Sequence, residues 1–311
     1  MRIVFLGTPE YSAHHLEKMI ESGFNVVCVV TQPDRPAGRG YRLMESPVKR
    51  IALKHNLKVL QPENPNTSEF VEELKKYEPD LGIIVSYGWI LKDGMLKVPK
   101  FGYFNVHPSL LPKYRGPEPI RRALENGERR TGITIFKIDE GIDSGKIAKM
   151  VEVEIGEREN YGELSERLMK IGAELLVDFL REFENKEGRI ELKDQVGVGS
   201  YAPKLKKEEL FIDWTANARR IFNKIRSLDP SPGARTKLKS KLVKLFSAIS
   251  YEMDGEHDEE GVILDITNEG AKISCGRGKV IIGEIQLEGK RRTNFMSLKN
   301  GRVIEKGDRF S

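Results

Sequence analysis

Cysteine is nearly absent: the 311-residue chain has two, Cys28 and Cys275. Two isolated cysteines exclude a disulfide-stapled scaffold, and neither has a neighbour at zinc-ligand spacing. The five histidines are scattered, so no metal site is expected. Long apolar runs are missing too. The longest, such as residues 26–30, fall far short of the roughly 20 residues that cross a bilayer. Met1-Arg2 leads straight into an apolar strand, which excludes signal-peptide architecture and makes the cytoplasm the expected compartment. Nucleotide-cofactor signatures are equally scarce. The first apolar run ends in Gly7-Thr8-Pro9-Glu10, one glycine where a dinucleotide fold has three. Pro9 also has no N–H to offer a phosphate. With no P-loop lysine motif either, nicotinamide, flavin and ATP lose their usual support. Internal repeats and low-complexity segments do not occur.

What is present suits a two-domain globular protein. Domains run to roughly 100–200 residues, and 39% hydrophobic content supplies a core for each. Net charge is +5, too low for a disordered chain of this length. It is unevenly placed: Pro203–Ser311 holds 22 Lys+Arg against 16 Asp+Glu, a net of +6, and residues 1–202 have a net of −1. A basic module attached to a near-neutral one fits a polyanion partner, or simply a solvated basic surface.

The pattern along the chain changes near residue 200. Buried-type strands at 2–7, 25–31, 81–86 and 101–107 alternate with helical stretches at 13–22, 47–56 and 67–77. Further strands are expected at 131–137 and 146–155. This predicts an α/β fold, a Rossmann-like doubly wound sheet with mostly parallel strands. Residues 31–43, with two prolines, two glycines and three arginines, read as a loop. A long helix over 160–183 carries Leu164, Leu168, Ile171, Leu175 and Phe179 on one face. Residues 186–207 have no period and are expected to connect the domains. Beyond them come a short helix at 217–227 and short strands at 241–249, 261–267, 271–274, 279–287 and 302–304. That pattern predicts an OB-like β-barrel over 208–311, an architecture that often binds nucleic acid.

The stretch richest in chemistry is 105–120, NVHPSLLPKYRGPEPI. Asn105 and His107 are two residues apart on a strand, so they share a face. They would project together at the carboxyl edge of the sheet, where open α/β folds bind ligands. By themselves such residues also suit a capped strand end followed by a proline turn.

The whole segment resembles the signature of the N10-formyltetrahydrofolate-dependent formyltransferases. That resemblance implies that Asn105 and His107 are catalytic, and that Asp143, in the DEGIDSG segment at 139–145, is the third catalytic residue. It implies 10-formyltetrahydrofolate as co-substrate and no metal. Ser86, Tyr87, Gly88, Trp89, Ile90 and Leu91 would line the folate pocket, with Ser109, Leu110, Leu111 and Pro112 contributing. In the implied reaction an amine adds to the formyl carbon. Asn105 and His107 would donate to the oxygen that gains charge. Asp143 would relay a proton or orient His107.

The likeness extends nearly end to end, through TQPDRPAGRGYRLMESPVK at 31–49, YAPKLKKEELFIDW at 201–214 and the tail after 283. These segments resemble the branch of the family that acts on initiator methionyl-tRNA, and imply that partner, a monomer, and no membrane contact. The domains would then be a catalytic domain at 1–185, a linker at 186–207 and a tRNA-binding barrel at 208–311. Arg35, Arg39 and Arg42 would meet the tRNA through their glycine-rich loop. Lys204, Lys206, Lys207, Lys241, Lys290, Arg291 and Arg292 are candidates for phosphate contact on the basic C-terminal part. Two rivals stand beside this: a formyltransferase of a small amine, and a non-catalytic RNA-binding protein. The first would lack the arginine loop and basic barrel, and the second would tolerate loss of Asn105, His107 and Asp143.

Overall fold

A computed structural model describes residues 1–37, 42–255 and 259–311. It divides into two compact units that are not contiguous in sequence. The first holds Met1–Pro119, Thr131–Val153 and Glu166–Ala202; the second holds Ile120–Arg130, Glu154–Ser165 and Pro203–Ser311.

The strands of the first part are β1 (Arg2–Gly7), β2 (Asn25–Val30), β3 (Arg35–Ala37), β4 (Arg42–Met44), β5 (Val59–Leu60), β6 (Leu81–Val85), β7 (Tyr103–His107), β8 (Arg130–Lys137) and β9 (Ile147–Glu154). Its helices are α1 (Glu10–Glu21), α2 (Pro47–Lys54), α3 (Ser68–Lys75), α4 (Asp93–Leu96), α5 (Pro119–Glu125) and α6 (Tyr161–Asn185). The main sheet runs β5-β2-β1-β6-β7-β8-β9. Pairs from β5 to β7 are parallel, and β7 meets β8 antiparallel. The chain steps outward from β1 to β2 and β5, then returns to the other side of β1 with β6. Ligands of such sheets bind beyond the carboxyl ends of the strands near this reversal. The central strands are apolar throughout because both faces are buried: Ile3, Val4, Phe5 and Leu6 are fully inaccessible. Gly7 closes β1 where α1 presses hardest. A Cβ there would lie 2.7 Å from Ser12 Cβ, whose hydroxyl donates to the Val85 carbonyl at 2.5 Å.

The expected loop at 31–43 holds a short antiparallel hairpin, β3 with β4, registered Arg35 to Met44. Its base is tied by Thr31 Oγ1 and Ser46 Oγ at 2.8 Å and by Lys49 Nζ on Asp34 at 2.5 Å. Pro36 masked the strand in the sequence, but a two-stranded ribbon needs few ladder bonds, which an edge proline tolerates. Arg39 lies outside the described residues.

The second part adds α7 (Ala218–Leu228), β10 (Ala234–Leu238), β11 (Lys241–Glu252), β12 (Ile263–Ile266), β13 (Ala271–Ser274), β14 (Lys279–Leu287), β15 (Thr293–Asn294) and α8 (Phe295–Asn300). The antiparallel order is β10-β11-β14-β13-β12, with β15 on β14. The two outer strands are joined by the chain's last residues. Lys237 N donates to Ser311 O at 2.8 Å, and Phe310 N donates to Gly261 O at 2.8 Å. Bridges Leu238 to Phe310 and Val262 to Arg309 complete the closure. The tail thus seals both edges and makes a barrel. The strand expected at 302–304 is replaced by this pairing further on. Gly261, at φ 77°, lets the tail in, since a Cβ would sit 2.4 Å from Phe310 O. Inside, Trp214 stacks on Phe310 with centroids 5.6 Å apart, and its Nε1 donates to Thr236 Oγ1 at 2.9 Å. Among the described residues no helix is long and apolar enough to cross a membrane.

Candidate active site

β7 delivers two polar side chains to the carboxyl end of the sheet. Its register puts Asn105 beside Ile84 of β6 and His107 beside Thr134 of β8. Both line a cavity of about 470 Å³, within the usual range for small-molecule sites. Ile84, Val106, Phe136 and Ile138 form apolar parts of its lining, and Gly116 and Pro117 another side. Ser86, Tyr87, Gly88, Trp89, Ile90 and Leu91 form a continuous wall. The wall turns sharply, with Ser86 at φ 46° and Gly88 at φ 85°. Gln32 Nε2 braces it by donating to the Tyr87 carbonyl at 3.0 Å. Ile90 is 67% exposed and Ile142 51%, giving the mouth an apolar rim.

His107 is 4% exposed. Its Nε2 lies 2.9 Å from the Tyr114 carbonyl. A carbonyl only accepts, so Nε2 carries the proton and donates. Nδ1 faces Asp143 Oδ2 at 3.6 Å. Burial pushes the imidazole below its ordinary value, opposed by the Asp143 charge and the Tyr114 bond. The resting ring is therefore neutral, with its lone pair on Nδ1. The Tyr114 carbonyl is the hydrogen-bond partner that fits this tautomer, with the Asp143 carboxylate facing the other ring nitrogen at 3.6 Å. In this tautomer the one N–H of the neutral ring is engaged by the Tyr114 carbonyl. Asp143 sits at φ 48°, in the left-handed region, and its Oδ2 accepts the Gly116 N–H at 2.7 Å. Asn105 is half-buried, and its amide has no hydrogen-bond partner among the described residues. That leaves it free to donate to a ligand.

The structure thus brings Asn105, His107, Asp143 and residues 86–91 to one cavity. It does not bring Ser109, Leu110, Leu111 and Pro112 there. Ser109 is fully buried, and its hydroxyl donates to the Lys113 carbonyl at 2.7 Å. Thr134 Oγ1 of β8 donates to the Ser109 carbonyl at 2.6 Å and accepts from Leu111 N at 3.2 Å. These bonds pin the turn behind the site, where it shapes the approach to Tyr114. Closeness to His107 in sequence is not closeness to the cavity.

Two residues that sequence reasoning did not assign to the site also matter. Gln195 donates to the Asp143 and Gly145 carbonyls at 2.8 and 2.9 Å. Arg115 donates to Gln195 Oε1 from Nε and Nη2 at 3.2 and 2.7 Å. The stretch around Gln195 was expected as a connection, yet through Ala202 it belongs to the first unit. Its backbone pairs with the loop after β7: Arg115 N donates to Ser200 O at 2.8 Å and Ala202 N to Arg115 O at 2.6 Å. No period or motif marks Gln195, since its role arises from long-range pairing.

The candidate cations divide. Arg35 is exposed on β3, and Arg42 lies on β4. Lys204, Lys206, Lys207, Lys241, Lys290 and Arg291 are exposed in the second unit. Arg292 is committed internally and is withdrawn as a free phosphate contact. Its guanidinium binds Asp229 at 2.9 Å, pairs with Glu284, and covers the Phe246 ring at 4.3 Å.

Residues 1–180 match the formyl transferase family, and residues 204–303 match the formyl transferase C-terminal domain. The chain belongs to the formyl transferase family. It is 47% identical over 310 residues to methionyl-tRNA formyltransferase of Thermosipho melanesiensis, covering 100% of this chain and 99% of that protein. The same enzyme of Thermotoga maritima is 47% identical over 311 residues, covering 100% and 98%. Solved structures share the fold at low identity. WlaRD, a sugar 3N-formyl transferase, superposes with TM-score 0.66 at 19% identity over 94% of this chain and 99% of its own. HypX from Aquifex aeolicus, in complex with tetrahydrofolic acid, gives 0.63 at 19% over 100% and 50%.

Proposed function

We propose that this chain transfers the formyl group of 10-formyltetrahydrofolate to the α-amine of methionine carried by initiator tRNA. The observation that carries the reading is the meeting of Asn105, His107 and Asp143 in one cavity beneath the 86–91 wall. The family and full-length relatives supply the chemistry of the two substrates. The cavity suits the donor: an apolar lining takes a flat ring system, and the Asn105 amide and wall backbone offer polar contacts at its edge.

The reaction joins the amine nitrogen to the formyl carbon and breaks the carbon's bond to N10. Negative charge gathers on the formyl oxygen as the amine adds, and Asn105 donates to it. A preorganised donor of this kind is worth about 2.7–4 kcal/mol. The amine loses a proton, and His107 Nδ1 is the base that accepts it, directly or through one water. The imidazolium so formed stands against the Asp143 carboxylate, which stabilises it in a buried setting. That proton is then available to N10 as it leaves.

The tRNA body would be held elsewhere. Arg35, Arg39 and Arg42 would be the contacts of this segment; Arg35 is exposed on β3, and Leu43 and Met44 are exposed on β4. Lys204, Lys206, Lys207, Lys241, Lys290 and Arg291 would supply salt-sensitive phosphate contacts. Residues 1–185 carry the chemistry in this reading, and 208–311 bind RNA. In this reading the protein acts as a monomer in the cytoplasm.

The test is a formyl-transfer assay comparing initiator methionyl-tRNA with free methionine and amino sugars. Transfer to methionyl-tRNA at least about 1,000-fold more efficient in kcat/KM supports the reading, a ratio worth about 4 kcal/mol of differential transition-state binding. Equal efficiency on a free amine contradicts it.

A further inference from the structure

The loop carrying Asp143 is tied locally by Asp139, whose Oδ1 accepts from Gly141 N and Ser144 Oγ at 3.0 and 2.8 Å, but none of these bonds reaches Asp143 itself. Asp143 occupies left-handed backbone space, which only a few per cent of non-glycine residues use. A side chain distant in sequence, that of Gln195, bonds the backbone of Asp143 directly. The Gln195 amide nitrogen spans two carbonyls, those of Asp143 and Gly145, at 2.8 and 2.9 Å. The Gln195 carbonyl is in turn fixed by two N–H groups of Arg115. Arg115 stands between the residue whose carbonyl holds His107 and the residue whose N–H holds the Asp143 carboxylate. These bonds close a ring: Asp143 carboxylate, Gly116, Arg115, Gln195, and back to the Asp143 backbone. His107 hangs from the same ring through Tyr114.

We infer that Gln195 is a positioning residue for formyl transfer, acting solely by holding Asp143 opposite His107 Nδ1. The inference rests on the proposed function. A glutamine is suited to the place, because it donates twice at one end and accepts at the other. Alanine abolishes both. Glutamate keeps the acceptor for Arg115 but loses both donors to the loop. Neither change touches the 86–91 wall, so donor binding should survive.

The experiment is a double-mutant cycle on the full chain, read by kcat and by KM for 10-formyltetrahydrofolate with methionyl-tRNA as acceptor. Gln195→Ala and Gln195→Glu are each expected to lower kcat roughly 10- to 100-fold, the usual cost of a small misplacement of a reacting group. KM for the donor should stay within about twofold, since ground-state contacts are unchanged. In an Asp143→Asn background, Gln195→Ala should cost less than about twofold more, because a residue acting only through Asp143 has nothing left to position. Thermal melts accompany each variant, and Gln195→Glu keeps the Arg115 bond in case alanine loosens the fold. An equal fold-loss in both backgrounds overturns the inference, as does parental kcat in both Gln195 variants. If Asp143→Asn itself keeps the parental kcat, the catalytic role of Asp143 falls, and this inference with it.

Discussion

In the first unit, the titratable groups at the cavity are bonded to backbone: His107 to the Tyr114 carbonyl and Asp143 to the Gly116 N–H. In the second unit, Lys241, Lys290 and Arg291 are exposed and have no ion-pair partner among the described residues. On the proposed function, the difference follows from what each region would have to do. Proton transfer needs groups fixed within a fraction of an ångström, and only a hydrogen-bonded ring gives that. Attraction of a polyanion needs charge but little geometry, so mobile lysines suffice. Arg292 shows that the second unit can also fix a cation when a buried carboxylate demands one.

The largest effect expected on this comparison is at Asn105. Asn105→Ala should lower the single-turnover transfer rate about 100- to 1,000-fold, with tRNA affinity unchanged. A loss of tRNA affinity instead would erase the division of labour. Next comes the contrast between adjacent arginines. Asp229 has a side chain only 3% exposed, so Arg292→Ala strips a buried carboxylate of its cation, leaving only the Ser247 N–H bond, and should cost about 3 kcal/mol in a urea melt. Arg291→Ala should change stability by less than about 0.5 kcal/mol. Combined replacement of Lys241, Lys290 and Arg291 by alanine should reduce the salt slope of tRNA binding by about 2 to 3. This is a cleaner probe than truncation after Ala202, which would strip the barrel from Ile120–Arg130 and Glu154–Ser165.

A fourth test separates burial from the influence of a carboxylate. His15, like His107, is buried and hydrogen-bonded to a carbonyl, that of Tyr11 at 2.7 Å, and its Nε2 has no partner among the described residues. Burial lowers its value from 6.5 to about 4. The unfolded chain therefore takes up a proton below pH 6.5 that the folded chain refuses. His15 thus draws stability down as pH falls from 6.5 toward 4, by about 3 kcal/mol in all, and has no effect on the slope above 6.5. His15→Leu should flatten that acid limb by about one proton, measured by urea melts across the range. An unchanged limb would mean that His15 is not held neutral.

Much of this was legible before the fold was known, and for identifiable reasons. Continuous apolar runs such as RIVFLG and NVVCVV announce strands buried on both faces. Asn105 and His107 were placed together by strand periodicity alone. Asp143 was not; a turn aspartate has no periodicity, and only resemblance pointed to it. β10 was missed because ARTKL alternates weakly, with Ala234, Thr236 and Leu238 inward. The tail DRFS was missed for a similar reason: Phe310 is its one apolar residue, and its pairing partners lie about 50 and 70 residues away. Gln195 was illegible because its function is a pair of bonds to a loop 50 residues upstream.

The account turns on His107 resting as a neutral base, with Nε2–H held by Tyr114 and Nδ1 open toward Asp143. The 15N NMR shifts of its ring, followed from pH 8 to pH 5, test this most directly. The account predicts a protonated Nε2 and an unprotonated Nδ1 at pH 7, with Nδ1 gaining its proton only below the ordinary histidine value of 6.5. A ring already carrying protons on both nitrogens at pH 7, or protonated on Nδ1 alone, would contradict it.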